Sequence, residues 1–250
     1  MYFAKLLLIF FAGVCAGFIN VFAGGGSLLT IPLLIFMGMP SAVANGTNRL
    51  AVLVQCALGV ERFRRKGVFD YKLGLLVAFP SVTGAVIGSF IAVDLPDRIF
   101  NRLLAVVMIF VLISILGKTP ENNTSVKKEP AARRKIILAV AFFFVGLYGG
   151  IIQAGVGIVI IAILSFLTDL SLVKINSLKL FIVAFYMIFS VAVFASSGKI
   201  EWAPGLVLAA GNAAGAWMGV NVTVKKGDRF IRAVLAVVIP AIAVKLLFFM

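Results

Sequence analysis

Polar and helix-breaking residues interrupt the apolar sequence near the start of the chain. A glycine triplet leaves backbone N–H groups free, and hydrocarbon tolerates such groups only where protein or a wet cavity satisfies them. An arginine at membrane depth costs at least about 2.5–3.5 kcal/mol, so it normally faces an aqueous pathway or a partner. These residue types predict a polar cavity that attracts anions. The residues concerned are Asn20, Gly24, Gly25, Gly26, Ser27, Asn45, Thr47, Asn48 and Arg49.

A related set of residues lies in the second half of the chain, between positions 149 and 185. Glycines again interrupt apolar sequence, and amide, hydroxyl and cationic side chains follow them. An amide side chain corresponds to Asn20 and a lysine corresponds to Arg49. The second stretch therefore offers the same chemistry in altered form. Its candidate site residues are Gln153, Gly155, Gly157, Asn176, Ser177 and Lys179.

Short helices are needed to hold these groups in the middle of a membrane. Residues 28–39 form a segment of roughly 18 Å as a helix, about half to two-thirds of a bilayer core. Ser27 or Thr30 is expected at its start, and Pro40 lies beyond its end. The polar residues 45–48 predict a second helix start through capping side chains. Two helix N-termini that converge at mid-membrane bind anions, because they present unpaired N–H groups and a partial positive charge.

Two other interpretations of these residues stay open. Small residues also permit close helix packing, and we expect this role for the later glycines at four-residue spacing. Arg49 and Lys179 can extend to the membrane interface instead of facing the cavity. The packing glycines are Gly84, Gly88, Gly211, Gly215 and Gly219.

The remaining side chains argue against cation transport and catalysis. The chain has nine Asp and Glu residues, all in or near predicted loops, and no histidine. Transport of metal cations normally needs carboxylate or imidazole ligands within the spans. A serine–histidine pair is impossible, so we expect no enzyme, no cofactor and no metal site. Cys15 and Cys56 lie in apolar sequence and are expected to be reduced.

The composition is that of an integral membrane protein. Hydrophobic residues make up 62% of the chain, charged residues 13%, and the mean hydropathy is +1.16. Soluble domains have about 45–50% apolar residues. The net charge of +14 comes mainly from basic residues in short connections between spans, where they set membrane orientation. We therefore expect a multi-pass protein of the cell (cytoplasmic) membrane and no nucleic-acid partner.

The second half of the chain repeats the first at an offset of 130–133 residues. The loop 61–72 has five Lys and Arg residues and its counterpart near 197–203 has one, whereas 224–232 has four and its counterpart 93–102 has two. Equivalent loops thus exchange their charge bias, which indicates opposite membrane orientation. With both termini outside, the cytoplasmic loops 61–72, 117–135 and 224–232 hold 15 of the 23 basic residues.

The predicted fold is an all-α membrane protein with two inverted repeats of about five membrane segments each, including short discontinuous or re-entrant helices. Residues 1–118 form the first repeat, 119–134 a cytoplasmic linker and 135–250 the second repeat. A parallel arrangement of eight spans is the alternative, and it places more basic residues outside.

Residues 17–55, "GFINVFAGGGSLLTIPLLIFMGMPSAVANGTNRLAVLVQ", and residues 205–220, "GLVLAAGNAAGAWMGV", resemble the TauE/SafE sulfite exporter family. The similarity runs from about residue 4 to 249. It implies a secondary transporter of small sulfur-containing anions, such as sulfite, sulfonate, sulfoacetate or thiosulfate. The first-repeat motif of the family matches Gly24 to Gly26, Asn45, Thr47 and Asn48.

The functional hypothesis is alternating access, with a small anion held between the two repeats. Backbone N–H groups of Gly25 to Ser27 and the segment 45–48 bind oxyanion oxygens, Arg49 and Lys179 supply charge, and other polar side chains complete the hydrogen bonds. The expected partners are the anion, the lipid bilayer, a coupling H⁺ or Na⁺, and a second copy in a homodimer. A passive anion channel and a non-transporting membrane scaffold are the alternatives.

Overall fold

The structure of the protein is a computed structural model, which describes residues 2–116 and 131–249. These two ranges are helical apart from short connections, and they contain no strand. A short helix follows the first helix and another follows the sixth. In chain order the helices are α1 (Tyr2–Phe22), α2 (Ser27–Phe36), α3 (Ser41–Arg65), α4 (Tyr71–Val93), α5 (Asp97–Leu116), α6 (Ala131–Ile151), α7 (Val156–Leu167), α8 (Leu172–Ser196) and α9 (Trp202–Phe249).

Five helices in the described ranges are long and apolar enough to cross a membrane: α1, α4, α6, α8 and the first part of α9. The apolar helices α2 and α7 have 10 and 12 residues. At about 1.5 Å per residue they are too short for a bilayer core of about 30 Å. The predicted all-α, multi-pass membrane fold with short discontinuous helices is confirmed.

The order of the helices follows the predicted repeat. Helices α1, α2 and α3 have 21, 10 and 25 residues, and α6, α7 and α8 have 21, 12 and 25. Gly227 is non-helical, with φ 64° and ψ −163°, and it divides α9 into two parts. Each half therefore has five helical segments. Their opposite orientation and the repeat boundaries stay predictions, and residues 117–130, which make up most of the predicted linker, lie outside the described residues.

Helix packing repeats with the two halves exchanged. Helix α1 packs along α9, and its counterpart α6 packs along α4. Helix α3 also packs along α9, and its counterpart α8 packs along α4. Helices α3 and α8 pack on each other, so the third helix of each half lies at the junction between the halves. This exchanged pattern is consistent with two repeats related by a two-fold axis.

Glycines form the closest contacts between helices. A Cβ atom at Gly84 or Gly88 of α4 would overlap a backbone carbonyl oxygen of α6, and one at Gly211 or Gly215 of α9 would overlap a carbonyl oxygen of α1. The predicted packing role of these glycines is confirmed. The facing carbonyl groups belong to Phe143 for Gly84, Leu147 for Gly88, Phe10 for Gly211 and Val14 for Gly215.

The prediction of a helix start at residues 45–48 is wrong. Helix α3 begins at Ser41, directly after Pro40, and residues 45–48 lie in its second turn and just beyond it. Proline has no N–H and a fixed φ, so it ends the preceding segment and precedes the new helix there. The polar side chains of residues 45–48 bond to other helices and loops instead of capping their own helix. The preceding half-helix α2 ends at Phe36, close to the predicted Pro40 boundary.

Candidate functional site

The chain breaks after α1 and after α6 meet inside the protein. Gly24 has φ 73° and Gly155 has φ 78°, a left-handed conformation that favours glycine. A Cβ atom on Gly157 would overlap the Cα atom of Gly24, so the backbones of the two breaks are in direct contact. The short helices α2 and α7 therefore begin side by side. The sequence predicts a different pair of converging starts, that of α2 and one at residues 45–48, and the second of these lies inside α3.

The first turn of α2 has free backbone donors. The N–H of Leu28 donates to Gly25 O at 3.0 Å, and it is the first in this helix with a backbone acceptor. The N–H groups of Gly25, Gly26 and Ser27 have no backbone acceptor within the described chain. Such groups and the helix dipole favour an anion at this end.

Arg49 lies in α3 with its side chain fully buried. Its Nη1 donates to Gly149 O at 2.9 Å and to Ser190 Oγ at 2.7 Å, and its Nη2 donates to Gly150 O at 2.6 Å. The two carbonyl groups belong to the last turn of α6, where the helix dipole is negative. The guanidinium also lies 4.5 Å from the centre of the Phe194 ring. Arg49 therefore caps the C-terminus of the broken helix in the other half.

Lys179 occupies the equivalent place in α8 and is 1% exposed. Its Nζ donates to Asn20 O and Val21 O, both at 2.9 Å, and to Asn176 Oδ1 at 2.7 Å. The two carbonyl groups lie in the last turn of α1. The cation of each half thus caps the interrupted helix of the other half. The alternative that Arg49 and Lys179 extend to the membrane interface does not apply.

We call Arg49, Lys179 and the groups bonded to them the cation layer. Two asparagines of α3 connect this layer with the helix breaks. Asn48 Nδ2 donates to Ser27 Oγ at 3.0 Å, and Asn48 Oδ1 accepts from Thr30 Oγ1 at 2.6 Å, so Asn48 holds the start of α2. Asn45 Nδ2 donates to Ile151 O at 3.0 Å. The Asn45 Oδ1 and Arg49 Nε atoms are buried and have no partner in the described chain.

The hydroxyl groups of Thr47 in α3 and Ser177 in α8 each bond to a loop of the opposite half. The loops are those that follow α8 and α3, respectively. Thr47 Oγ1 accepts from the backbone N–H of Glu201 at 2.9 Å. Ser177 Oγ donates to Val68 O at 2.6 Å. Both loops are thereby attached to the centre of the other half. These two contacts leave Thr47 and Ser177 apart from the cations, although every predicted site residue is buried.

The comparisons with known proteins agree with this architecture. The family model for "Sulfite exporter TauE/SafE" matches residues 9–246. The chain belongs to this family. A probable membrane transporter protein, YfcA of Escherichia coli K12, is 30% identical over 96% of this chain and 89% of its own length. The probable membrane transporter protein ORF9 of a Sinorhizobium species is 27% identical over 98% and 93%.

A probable membrane transporter protein of Haemophilus influenzae is 30% identical over 93% of this chain and 90% of its own length. No solved structure matches the chain. The TauE/SafE match and the five apolar helices together show a multi-pass integral membrane protein of a membrane transporter family. The resemblance seen in the sequence is confirmed.

Four buried polar residues that bond to the candidate site residues or to each other are absent from the sequence-based set. Gln55 accepts from Asn20 Nδ2 at 3.3 Å, and Tyr186 donates to Gln153 Oε1 at 2.9 Å. Ser89 and Ser190 hydroxyls lie 2.6 Å apart. The sequence does contain an indication of these residues. Each is an isolated polar residue in an apolar helix, where it needs a buried partner.

The electrostatics of the layer favour an anion. Arg49 and Lys179 donate to carbonyl, hydroxyl and amide oxygens, and within the described residues neither has a carboxylate partner. Within the same ranges, no group of three or more His, Cys, Asp or Glu residues is placed to hold a metal ion. The layer thus combines two buried cations, free N–H donors and amide groups.

A cavity of about 180 Å³ lies elsewhere, where the C-terminal end of α2 meets the starts of α1 and α9. Its lining includes Lys5, Ile9, Gly38 and Glu201. Ile9 precedes Asn20 by about three turns of α1, or roughly 16 Å. The cavity therefore lies apart from the cation layer, and it carries a glutamate beside its lysine.

Proposed function

We propose that the chain is a secondary transporter that moves a small anion by alternating access, with the anion bound in the layer between the two halves. The observation that most strongly supports this proposal is a pair of buried cations, Arg49 and Lys179, which have no carboxylate partner in the described chain. A buried charge is expensive unless it is paired. Carbonyl dipoles offset part of that cost, and an anion supplies the missing counter-charge.

The free N–H groups at the start of α2 support the same proposal. Gly25, Gly26 and Ser27 lie beside the glycine break of the other half. Preorganised N–H donors and a helix N-terminus bind oxyanion oxygens without rearrangement. Asn20, Gln153 and Asn176 add amide groups near the same breaks and cations. The proposed site is therefore built for hydrogen-bonded oxygens as well as for charge.

Sulfur oxyanions are the proposed substrate class. The family is described as sulfite exporters, and the candidates are sulfite, sulfonate, sulfoacetate and thiosulfate. Their oxygens suit the free N–H groups and the guanidinium. The proposed environment is a lipid bilayer, with H⁺ or Na⁺ as coupling ion and a homodimer as the assembly.

The hydrogen bonds between the two halves support alternating access. Arg49 holds α6 and Lys179 holds α1 through carbonyl groups of the opposite half. The side chains that donate these hydrogen bonds are the same two cations that bind the anion in the proposed site. Anion binding therefore weakens the contacts between halves, and a relative movement of the halves then changes the side from which the site opens.

Thermal unfolding of the purified protein tests the proposal. We expect at least one of sulfite, thiosulfate and sulfoacetate to raise Tm, because a ligand that binds only the folded state stabilises it by about 2.7 kcal/mol at 100 times its Kd. Chloride at the same ionic strength is the control. The Arg49→Gln variant should lose the shift, and Lys174→Gln, which changes an exposed lysine of α8, should keep it. Equal shifts with chloride and with every sulfur anion would contradict the proposal.

A further inference from the structure

Three buried polar atoms near the helix breaks have no partner in the described chain: Gln55 Nε2, beside Asn20, and Asn45 Oδ1 and Arg49 Nε, at the end of α6. The chemical roles of Asn45 Oδ1 and Arg49 Nε are fixed. Asn45 Nδ2 donates to Ile151 O at 3.0 Å, and only the amino end of the amide can face a carbonyl oxygen, so Oδ1 must accept. Arg49 Nε carries a hydrogen and can only donate.

These two atoms belong to one small region. Asn45 and Arg49 are four residues apart on α3, so their side chains lie on the same face of the helix. Both side chains donate to Ile151 O, Asn45 Nδ2 at 3.0 Å and Arg49 Nη2 at 3.4 Å. The free acceptor and the free donor therefore flank the same carbonyl group at the end of α6.

A ligand that satisfies both atoms must offer an acceptor and a donor. An anionic oxygen satisfies Arg49 Nε, but the same oxygen repels the Asn45 Oδ1 lone pairs. An O–H or N–H group on the ligand satisfies Asn45 Oδ1. Sites built to hydrogen-bond a substrate hydroxyl reject an analogue without it strongly, because the buried polar atom is then left unpaired.

We propose that this site selects small anions that carry a hydrogen-bond donor beside their anionic oxygens. Two groups of sulfur oxyanions meet this requirement: hydrogen anions such as hydrogensulfite, and sulfonates with a hydroxyl or amino group. The inference rests on the proposed function, since it assigns the substrate class to the same site. Asn45 is the residue that determines the selectivity, and Arg49 supplies the matching donor.

Competition with a matched pair of sulfonates tests this inference. Isethionate and propane-1-sulfonate have the same charge at every working pH and nearly the same shape, and they differ by a hydroxyl in place of a methyl group. In proteoliposomes that take up radiolabelled sulfite, isethionate should compete at least about tenfold better than propane-1-sulfonate. The ratio in the wild-type protein decides the question without any variant.

The Asn45→Leu variant should bring this ratio close to one, because it removes Oδ1 and keeps a side chain branched at the same carbon. Asn101→Leu is the matched control, since it makes the same substitution at an exposed asparagine whose Oδ1 accepts from Ser41 Oγ, and it should keep the wild-type ratio. Equal competition by both sulfonates, as expected if water satisfies Asn45 Oδ1, would overturn the inference, and so would sulfite uptake that neither sulfonate inhibits. Absence of saturable sulfite uptake would instead count against the proposed function.

Discussion

At the scale of single residues, the two buried cations have both structural and proposed functional roles. Arg49 and Lys179 each bind carbonyl oxygens at the C-terminus of a broken helix in the other half. A positive charge at a helix C-terminus is stabilising. The carbonyl groups also gain partners that the hydrocarbon core of a membrane does not provide.

Loss of the Lys179 ammonium should destabilise the fold. In Lys179→Met, Val21 O and Asn176 Oδ1 lose their Nζ donor, whereas Asn20 O keeps a backbone N–H donor. Each unpaired buried group costs about 1–3 kcal/mol. We expect the free energy of unfolding to fall by about 2–4 kcal/mol, measured by denaturant unfolding in detergent micelles. Lys174→Met, an exposed position on the same helix, should change stability by less than about 0.5 kcal/mol. Equal stability of the two variants would show that the Lys179 contacts contribute nothing.

The sequence could identify the cations but not their partners. An arginine and a lysine in apolar stretches already indicate buried, functional positions. Their partners include backbone carbonyl groups of Gly149, Gly150, Asn20 and Val21, and a carbonyl group has no residue-type signature. For that reason the hydrogen-bond pattern needed the structure.

At the scale of helices, polar residues and glycines in the sequence had different predictive value. The glycines at 24–26 predict a break before a short helix, and α2 begins directly after them at Ser27. The segment 45–48 predicts a helix start that the structure does not have, because asparagine and threonine are typical caps and also form tertiary hydrogen bonds. Gly46 is explained by close approach, since a Cβ atom there would overlap the carbonyl oxygen of Lys199.

Alanine substitutions in α9 should separate packing from helix propensity. Alanine gains up to about 1 kcal/mol over glycine in a helix. In Gly215→Ala the new methyl group overlaps Val14 O of α1, whereas in Gly205→Ala it lies 3.2 Å from Leu50 Cδ2, a side-chain atom that can move. Gly215→Ala should lower Tm, and Gly205→Ala should leave it unchanged or raise it. A lower Tm in Gly205→Ala alone would contradict the packing account.

At the scale of the whole molecule, the exchanged packing of the two halves is the main feature. Helix α1 contacts α9, and α6 contacts α4, so neither half packs alone. The sequence predicted the five segments per half from its internal offset and loop charges. Orientation across the membrane is a relation to lipid, and it is read from charge asymmetry instead of from helix contacts.

Cysteine accessibility tests the inverted topology. Single cysteines at Lys66, Lys226 and Arg98, all exposed, are labelled with a membrane-impermeant maleimide in a variant where Cys15 and Cys56 are replaced. We expect positions 66 and 226 to react from the cytoplasmic side and position 98 from the other side. Reaction of positions 66 and 226 from opposite sides would exclude the inverted arrangement and support the parallel one.

Counterflow in proteoliposomes tests the central claim most directly. Vesicles loaded with unlabelled sulfite should take up labelled sulfite faster than empty vesicles, because a carrier returns more quickly with substrate bound. Arg49→Gln and Lys179→Gln should each lower the initial rate at least about tenfold, consistent with loss of a charge-assisted hydrogen bond, and Lys174→Gln should not. Flux that shows no acceleration by internal anion, or that persists unchanged in both cation variants, would contradict an alternating-access site built on Arg49 and Lys179.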